Sequence, residues 1–163
     1  MKTLIAYYSR TGTTKKIARE LAEYLSADEE GIIDLTDRDG AIGYIKSRKD
    51  ALLGKTTNIK TPVNDPREYD LVLLGTPVWA GRMAPAMRTY MKFHKDRFGN
   101  VACFCTMKGA SSRIVLKQIE KGIGKKPLAL MSLQTKEAKE NLHEKKIKDF
   151  IKQIKKIKKV IFK

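Results

Sequence analysis

Two histidines, His94 and His143, and two cysteines, Cys103 and Cys105, are all that a chain of 163 residues holds of either kind. A zinc or iron–sulfur centre needs about four such ligands at coordinated spacing, so no metal site is expected. The cysteines alternate within NVACFCTM, a strand-like run in which side chains two apart share a face, and they read as small buried thiols. Each histidine flanks lysines on a helix-like segment; both are expected at the surface, which disfavours catalysis by a histidine base. No apolar run approaches the ~20 residues of a membrane span. The N-terminus opens on a strand-like run instead of a leader, so the expected location is the cytoplasm.

Acidic residues are also scarce, with 18 Asp and Glu against 34 Lys and Arg and a net charge of +16. Such a surplus favours polyanions, acidic proteins or anionic surfaces as partners and is silent on fold. Part of it is local: residues 136–163 carry 11 lysines against 4 acidic residues.

What remains suits one domain over residues 1–163, with 42% hydrophobic residues to form its core. No repeat or low-complexity linker interrupts it. KTLIAYY at 2–8 is a run suited to a strand buried on both faces. Ile17, Ala18, Leu21, Ala22 and Leu25 then recur at helical spacing. Further strands are expected at GIIDLT (31–36), YDLVLLGT (69–76), NVACFCT (100–106) and KPLALMSL (126–133). Helices are expected within 39–55, at 84–97, at 111–122 and, as one long element, at 136–160, where Ile147, Phe150, Ile151, Ile154, Ile157 and Ile161 form a stripe. This alternation implies an α/β architecture: a doubly wound parallel sheet of five strands with helices on both faces. Ligands in such sheets bind beyond the C-terminal strand ends, where strand order reverses.

Three unusual loops fall at those ends. The first, within YYSRTGTTKKIA, crowds Ser9, Thr11, Thr13 and Thr14 around Gly12. A helix start can be satisfied by one capping hydroxyl or by an anion, and the excess of hydroxyls favours a phosphate. Arg10, Lys15 and Lys16 could add attraction. Neither a P-loop nor a three-glycine dinucleotide motif is present. The second loop, GTPVWAGRMAP, holds the only tryptophan, Trp79, beside Gly81; a flat ligand stacked on the indole explains its place. The third, TMKGASS, again joins a glycine to hydroxyls. A phosphate and a flat ring held at the switch point of such a sheet suggest FMN.

The same residues resemble a known family. YYSRTGTTKKIARELA is similar to the phosphate-loop signature of flavodoxins, Thr/Ser-x-Thr-Gly-x-Thr, complete at Ser9, Thr11, Gly12 and Thr14. YDLVLLGTPVWAGRMAPAMRTYM looks like the third strand and flavin loop of a flavodoxin-like branch of short-chain type. The resemblance implies strand order 2-1-3-4-5 and FMN as cofactor. Ser9, Arg10, Thr11, Gly12, Thr13 and Thr14 would then hold the phosphate. Pro77, Val78, Trp79, Ala80 and Gly81 would line one side of the ring, and Thr106, Met107, Lys108 and Gly109 the other.

The chain departs from that family in having no aromatic residue in 106–112, in placing Lys108 where glycine is usual, and in its basic charge. Met107 would have to replace the aromatic. The expected function is electron transfer between redox partners, themselves acidic proteins, through the bound flavin. The alternative is an FMN-dependent quinone or protoporphyrinogen reductase of the same fold. A basic nucleic-acid-binding module is disfavoured for want of an aromatic-rich recognition motif, and a homodimer is left open.

Overall fold

The computed structural model describes residues 1–38, 40–109 and 112–161, with side chains described through residue 156. In chain order the elements are β1 (Thr3–Tyr7), α1 (Thr13–Leu25), β2 (Asp28–Gly31), α2 (Gly40–Leu52), a 3₁₀ turn (Pro66–Glu68), β3 (Leu71–Trp79), β4 (Arg82–Met83), α3 (Pro85–Phe93), β5 (Asn100–Met107), α4 (Arg113–Ile123), β6 (Leu130–Gln134), α5 (Thr135–Lys139) and α6 (Glu144–Ile161). Five parallel strands run in the order β2-β1-β3-β5-β6, the expected 2-1-3-4-5 once the short β4 is set aside. β4 folds back antiparallel onto β3, pairing Trp79 with Arg82.

Strand alternation builds two cores. Leu4, Ala6, Val72, Leu74, Val101 and Cys103 face Met87, Tyr90, Val115 and Ile119 of α3 and α4. Ile5, Tyr7, Leu73, Ala102, Phe104 and Leu133 face Ile17, Leu21, Ile147, Phe150 and Ile154 of α1 and α6. Each large apolar side chain so buried contributes about 1.5–3 kcal/mol before entropy is counted. At the sheet centre Gly75 lies opposite Phe104, whose ring fills the space a side chain at 75 would need.

Several expectations are corrected. The second strand is the polar DEEG of 28–31, and 32–36 is loop; Glu30 is buried because its carboxylate accepts from the Val63 and Asn64 amides and from the Tyr90 hydroxyl. The long C-terminal helix is two helices. Gln134 and Glu137 form a reciprocal capping box that starts α5, and Asn141 at φ 57° ends that segment before α6 begins. Within α6, Ile147, Phe150, Ile151 and Ile154 are buried as the stripe predicts; the side chains of Ile157 and Ile161 lie outside the described residues.

Neither histidine is at the surface: His94 is 2% and His143 3% exposed. His94 packs among the rings of Tyr90, Phe93 and Phe98. His143 sits at the α5–α6 junction with Nε2 2.7 Å from Glu20 Oε2. Both cysteines are buried and free, and burial pushes their thiol values up, Cys105 to about 12.

α2 differs from the other helices. It buries only Gly43, Ser47 and Ala51, and leaves Ile42, Ile45 and Leu52 in solvent.

Candidate functional site

The switch point lies between β1 and β3, where the chain leaves one side of the sheet for the other. At the C-terminal strand ends there, a cleft of about 120 Å³ is lined by Ser9, Arg10, Thr11, Thr13 and Thr14 from the first loop, Pro77, Val78 and Trp79 from β3, and Thr106, Met107 and Lys108 from the end of β5. All three loops singled out in the sequence therefore meet. Tyr44 and Arg48 of α2 and Thr135 complete the lining.

The first loop decides between cap and anion. Gly12 turns the chain at φ 86°, ψ −18°, a left-handed conformation that costs a side-chain-bearing residue about 1–2 kcal/mol, and no side chain caps α1. The hydroxyls are thus not spent on the helix. Thr14, buried, bonds instead to Thr106 at 2.8 Å and ties the first loop to β5. Among the described residues, Ser9 Oγ and Arg10 Nε are buried without a hydrogen-bond partner. Orphaned polar atoms of this kind are rare, because each costs about 1–3 kcal/mol, and they concentrate where a ligand is to be met.

Cations surround this seat. Arg10 lies 5.4 Å over the Tyr44 ring and reaches the Gly40 carbonyl at 3.4 Å; Arg48 lies 5.6 Å from the same ring and donates to the Tyr44 hydroxyl at 3.1 Å. With Lys108 they give the cleft three cations, and among the described residues no carboxylate lines it. Uncapped helix amides, free hydroxyl and guanidinium donors and unopposed positive charge together make a seat for a phosphate.

The second loop is not a loop up to Trp79. β3 runs through Pro77 and Val78 to Trp79, and Ala80 and Gly81, at φ 49° and 71°, form a two-residue hairpin turn into β4. Trp79 is half-buried, edge-on to Tyr8 at 5.6 Å and 5.9 Å from the Arg38 guanidinium. Arg38 is itself fixed by Asp34 at 2.5 Å and Asp50 at 3.2 Å. Burial opposes its charge, but the hydrogen bonds and charges of these two carboxylates outweigh burial and raise its value. The indole is thus held from behind, with its remaining surface on the cleft.

Four expected residues do not line the cleft with side chains. Gly12 acts through its backbone turn, Ala80 and Gly81 form the hairpin, and the Gly109 carbonyl accepts from Gln134 Nε2 at 3.0 Å. Ala110 and Ser111 of the third loop lie outside the described residues. Lys16 is no phosphate ligand: its ammonium donates to the Ala138 carbonyl and the Asn141 side chain, fastening α1 to the α5–α6 junction.

Comparison with known proteins agrees with this geometry. The family model described as Flavodoxin matches residues 2–154. The chain belongs to the flavodoxin family. Among solved structures it is similar to a flavoprotein from Lactobacillus acidophilus NCFM in complex with FMN, at 28% identity and TM-score 0.71 over 80% of this chain and 92% of that one. The apo-form of the Lactobacillus flavoprotein also matches, at 27% identity and TM-score 0.61, covering 82% of this chain and 91% of that one. A Fusobacterium nucleatum flavodoxin bound to flavin mononucleotide shares the fold at 18% identity and TM-score 0.60, over 96% of this chain and 98% of that one. No curated protein matches the chain. Among the described residues, no helix is long and apolar enough to cross a membrane.

Within the family frame, the residues missed in the sequence are Tyr44 and Arg48 of α2 and Thr135 at the start of α5. Tyr44 and Arg48 stand four apart on a helix whose overall pattern is weak, and only that aromatic–cation pairing could have marked them.

Proposed function

We propose that the chain is a cytoplasmic FMN-dependent electron carrier. The observation that carries the reading is the pair of buried, partnerless donors, Ser9 Oγ and Arg10 Nε, at an uncapped helix start within a cleft that also presents Trp79. These residues fit FMN: Ser9, Arg10, Thr11 and Thr13 with the first amides of α1 would hold the phosphate, and Val78, Trp79 and Met107 would face the ring. FMN, when bound, supplies the redox chemistry by accepting and releasing electrons. The protein contributes binding, exclusion of water and a positive field. Among the described residues the cleft is lined by no histidine and no carboxylate.

The experiment is the visible absorption spectrum of the purified protein after FMN addition and gel filtration, repeated with Ser9→Ala. Wild type is expected to retain a stoichiometric flavin band. The variant should keep its fold and lose about tenfold in affinity, the worth of one hydrogen bond to a charged group. A colourless wild-type protein would overturn the reading, and rapid turnover of a quinone with NAD(P)H would make it an oxidoreductase instead.

A further inference from the structure

On the face of the sheet opposite α1 and α6, a groove of about 640 Å³ runs between α3 and α4. Its walls carry Arg82, Arg88, Lys92, Lys95, Lys117 and Lys121, and no carboxylate lines it. Some cations elsewhere on the molecule, among them Arg38, Lys55, Arg67, Arg97, Lys146 and Lys148, sit in ion pairs. Among the described residues, none of the six groove cations does.

The charges are ordered. Arg88, Lys92 and Lys95 follow one another at four and three residues along α3 and the turn after it, and Lys117 and Lys121 are four apart on α4. Neighbours at that spacing lie ~5–6 Å apart on one helix face, and like charges so placed repel. Arg88 is the sharpest case. It is half-buried; among the described residues its Nε is buried without a partner, and its guanidinium makes one hydrogen bond, to the Met83 carbonyl, 3.5 Å long. Burial, and then Arg82, push its value below the ordinary one.

Between the two cationic rows the floor is mostly apolar, with Ile114 exposed, Met83 and Met91 almost fully buried beneath it, and Gln118 and Gly122 alongside. Methionine surfaces adapt to varied apolar side chains. No aromatic ring lines the groove on which a base could stack, which argues against nucleic acid. A helix with carboxylates at four-residue spacing flanking a stripe of apolar residues matches both the rows and the floor.

We propose that the α3–α4 groove docks an acidic amphipathic helix of a redox-partner protein. Arg82 begins the groove and is the cross-strand partner of Trp79, so a helix seated there borders the edge of the ring site. The docking stands on the groove alone; its use for electron transfer rests on the FMN reading.

The test uses the full chain, with and without FMN, and a fluorescent peptide of about three helical turns carrying Glu at four-residue spacing around a leucine stripe. A scrambled peptide of equal charge and a duplex oligonucleotide serve as competitors. Anisotropy is expected to show binding of the amphipathic peptide that weakens with salt. Lys92→Glu with Lys117→Glu should weaken it at least about tenfold, with the variant's flavin retention matching wild type. Lys152→Glu with Lys155→Glu, on the equally basic α6, should change it less than about twofold. Equal loss from both pairs, equal binding of the scrambled peptide, tighter groove-dependent binding of the oligonucleotide, or no binding would each overturn the proposal. Peptide binding by a chain that takes up no FMN would leave the docking intact and remove the electron-carrier reading.

Discussion

The hydroxyls of Thr14 and Thr106 meet at 2.8 Å across 92 residues of chain, and both are buried. That one bond fixes the first turn of α1 against the end of β5, and with it the spacing of the cleft walls. Thr14→Val leaves the Thr106 hydroxyl buried without a partner and should cost about 1–3 kcal/mol, whereas replacing both with valine should recover most of the loss. Urea midpoints of the two variants decide this: a double variant no more stable than the single one would mean the hydroxyls do not act as a pair.

Gly75 and Phe104 make a second coupled pair. A methyl group at 75 would stand 2.2 Å from Phe104 Cζ. Gly75→Ala is therefore expected to destabilise by about 1–3 kcal/mol through overpacking, and adding Phe104→Leu should cost less than the separate effects together. Thermal melts of the three variants test it, and simple additivity would contradict the contact.

His94 sets a pH dependence. Burial lowers its value from the ordinary 6.5, outweighing the opposing pull of Glu30; Arg97 pushes the same way as burial and Asp65 the other way. The unfolded chain therefore takes up a proton that the folded ring refuses. The contribution is fully present above 6.5 and is lost as pH falls from there through the lower folded value. Stability measured by denaturant between pH 7 and 5 should fall in wild type and fall less in His94→Leu. Parallel slopes would assign the acid sensitivity elsewhere.

Among the described residues, three cations and no carboxylate line the cleft. Negative charge added to a flavin held there meets attraction, so the final reduction step should have a less negative potential than in acidic members of the family. Arg48→Glu and Lys108→Glu should each lower it by on the order of tens of millivolts, an effect that added salt reduces because both side chains are exposed. A redox titration as negative as that of acidic flavodoxins would refute this.

The parallel strands were legible because continuous apolar runs such as LVLLG have one reading in a buried sheet. That the first loop lies at the cleft was legible because its hydroxyls around a glycine exceed what a cap needs. What escaped was set by partners distant in sequence. DEEG forms an edge strand because Val63, Asn64 and Tyr90 satisfy Glu30, and hydropathy holds no trace of them. Flanking lysines disguised His94, although Tyr90 and Phe98 stand four residues to either side. The hairpin at 80–81 was hidden because Ala80 takes a positive φ that alanine seldom adopts. Lys16 reads as free charge until the α5–α6 junction is folded against it.

The seam of Gly43, Ser47 and Ala51 leaves α2 anchored by small side chains, with its larger apolar groups turned outward. It therefore detaches at less cost than α1, and its amides should lose hydrogen-exchange protection before those of α1. Since Tyr44 and Arg48 form one wall of the cleft, the same opening unlatches that wall. Cofactor release is then expected to keep time with the breathing of a single 13-residue helix.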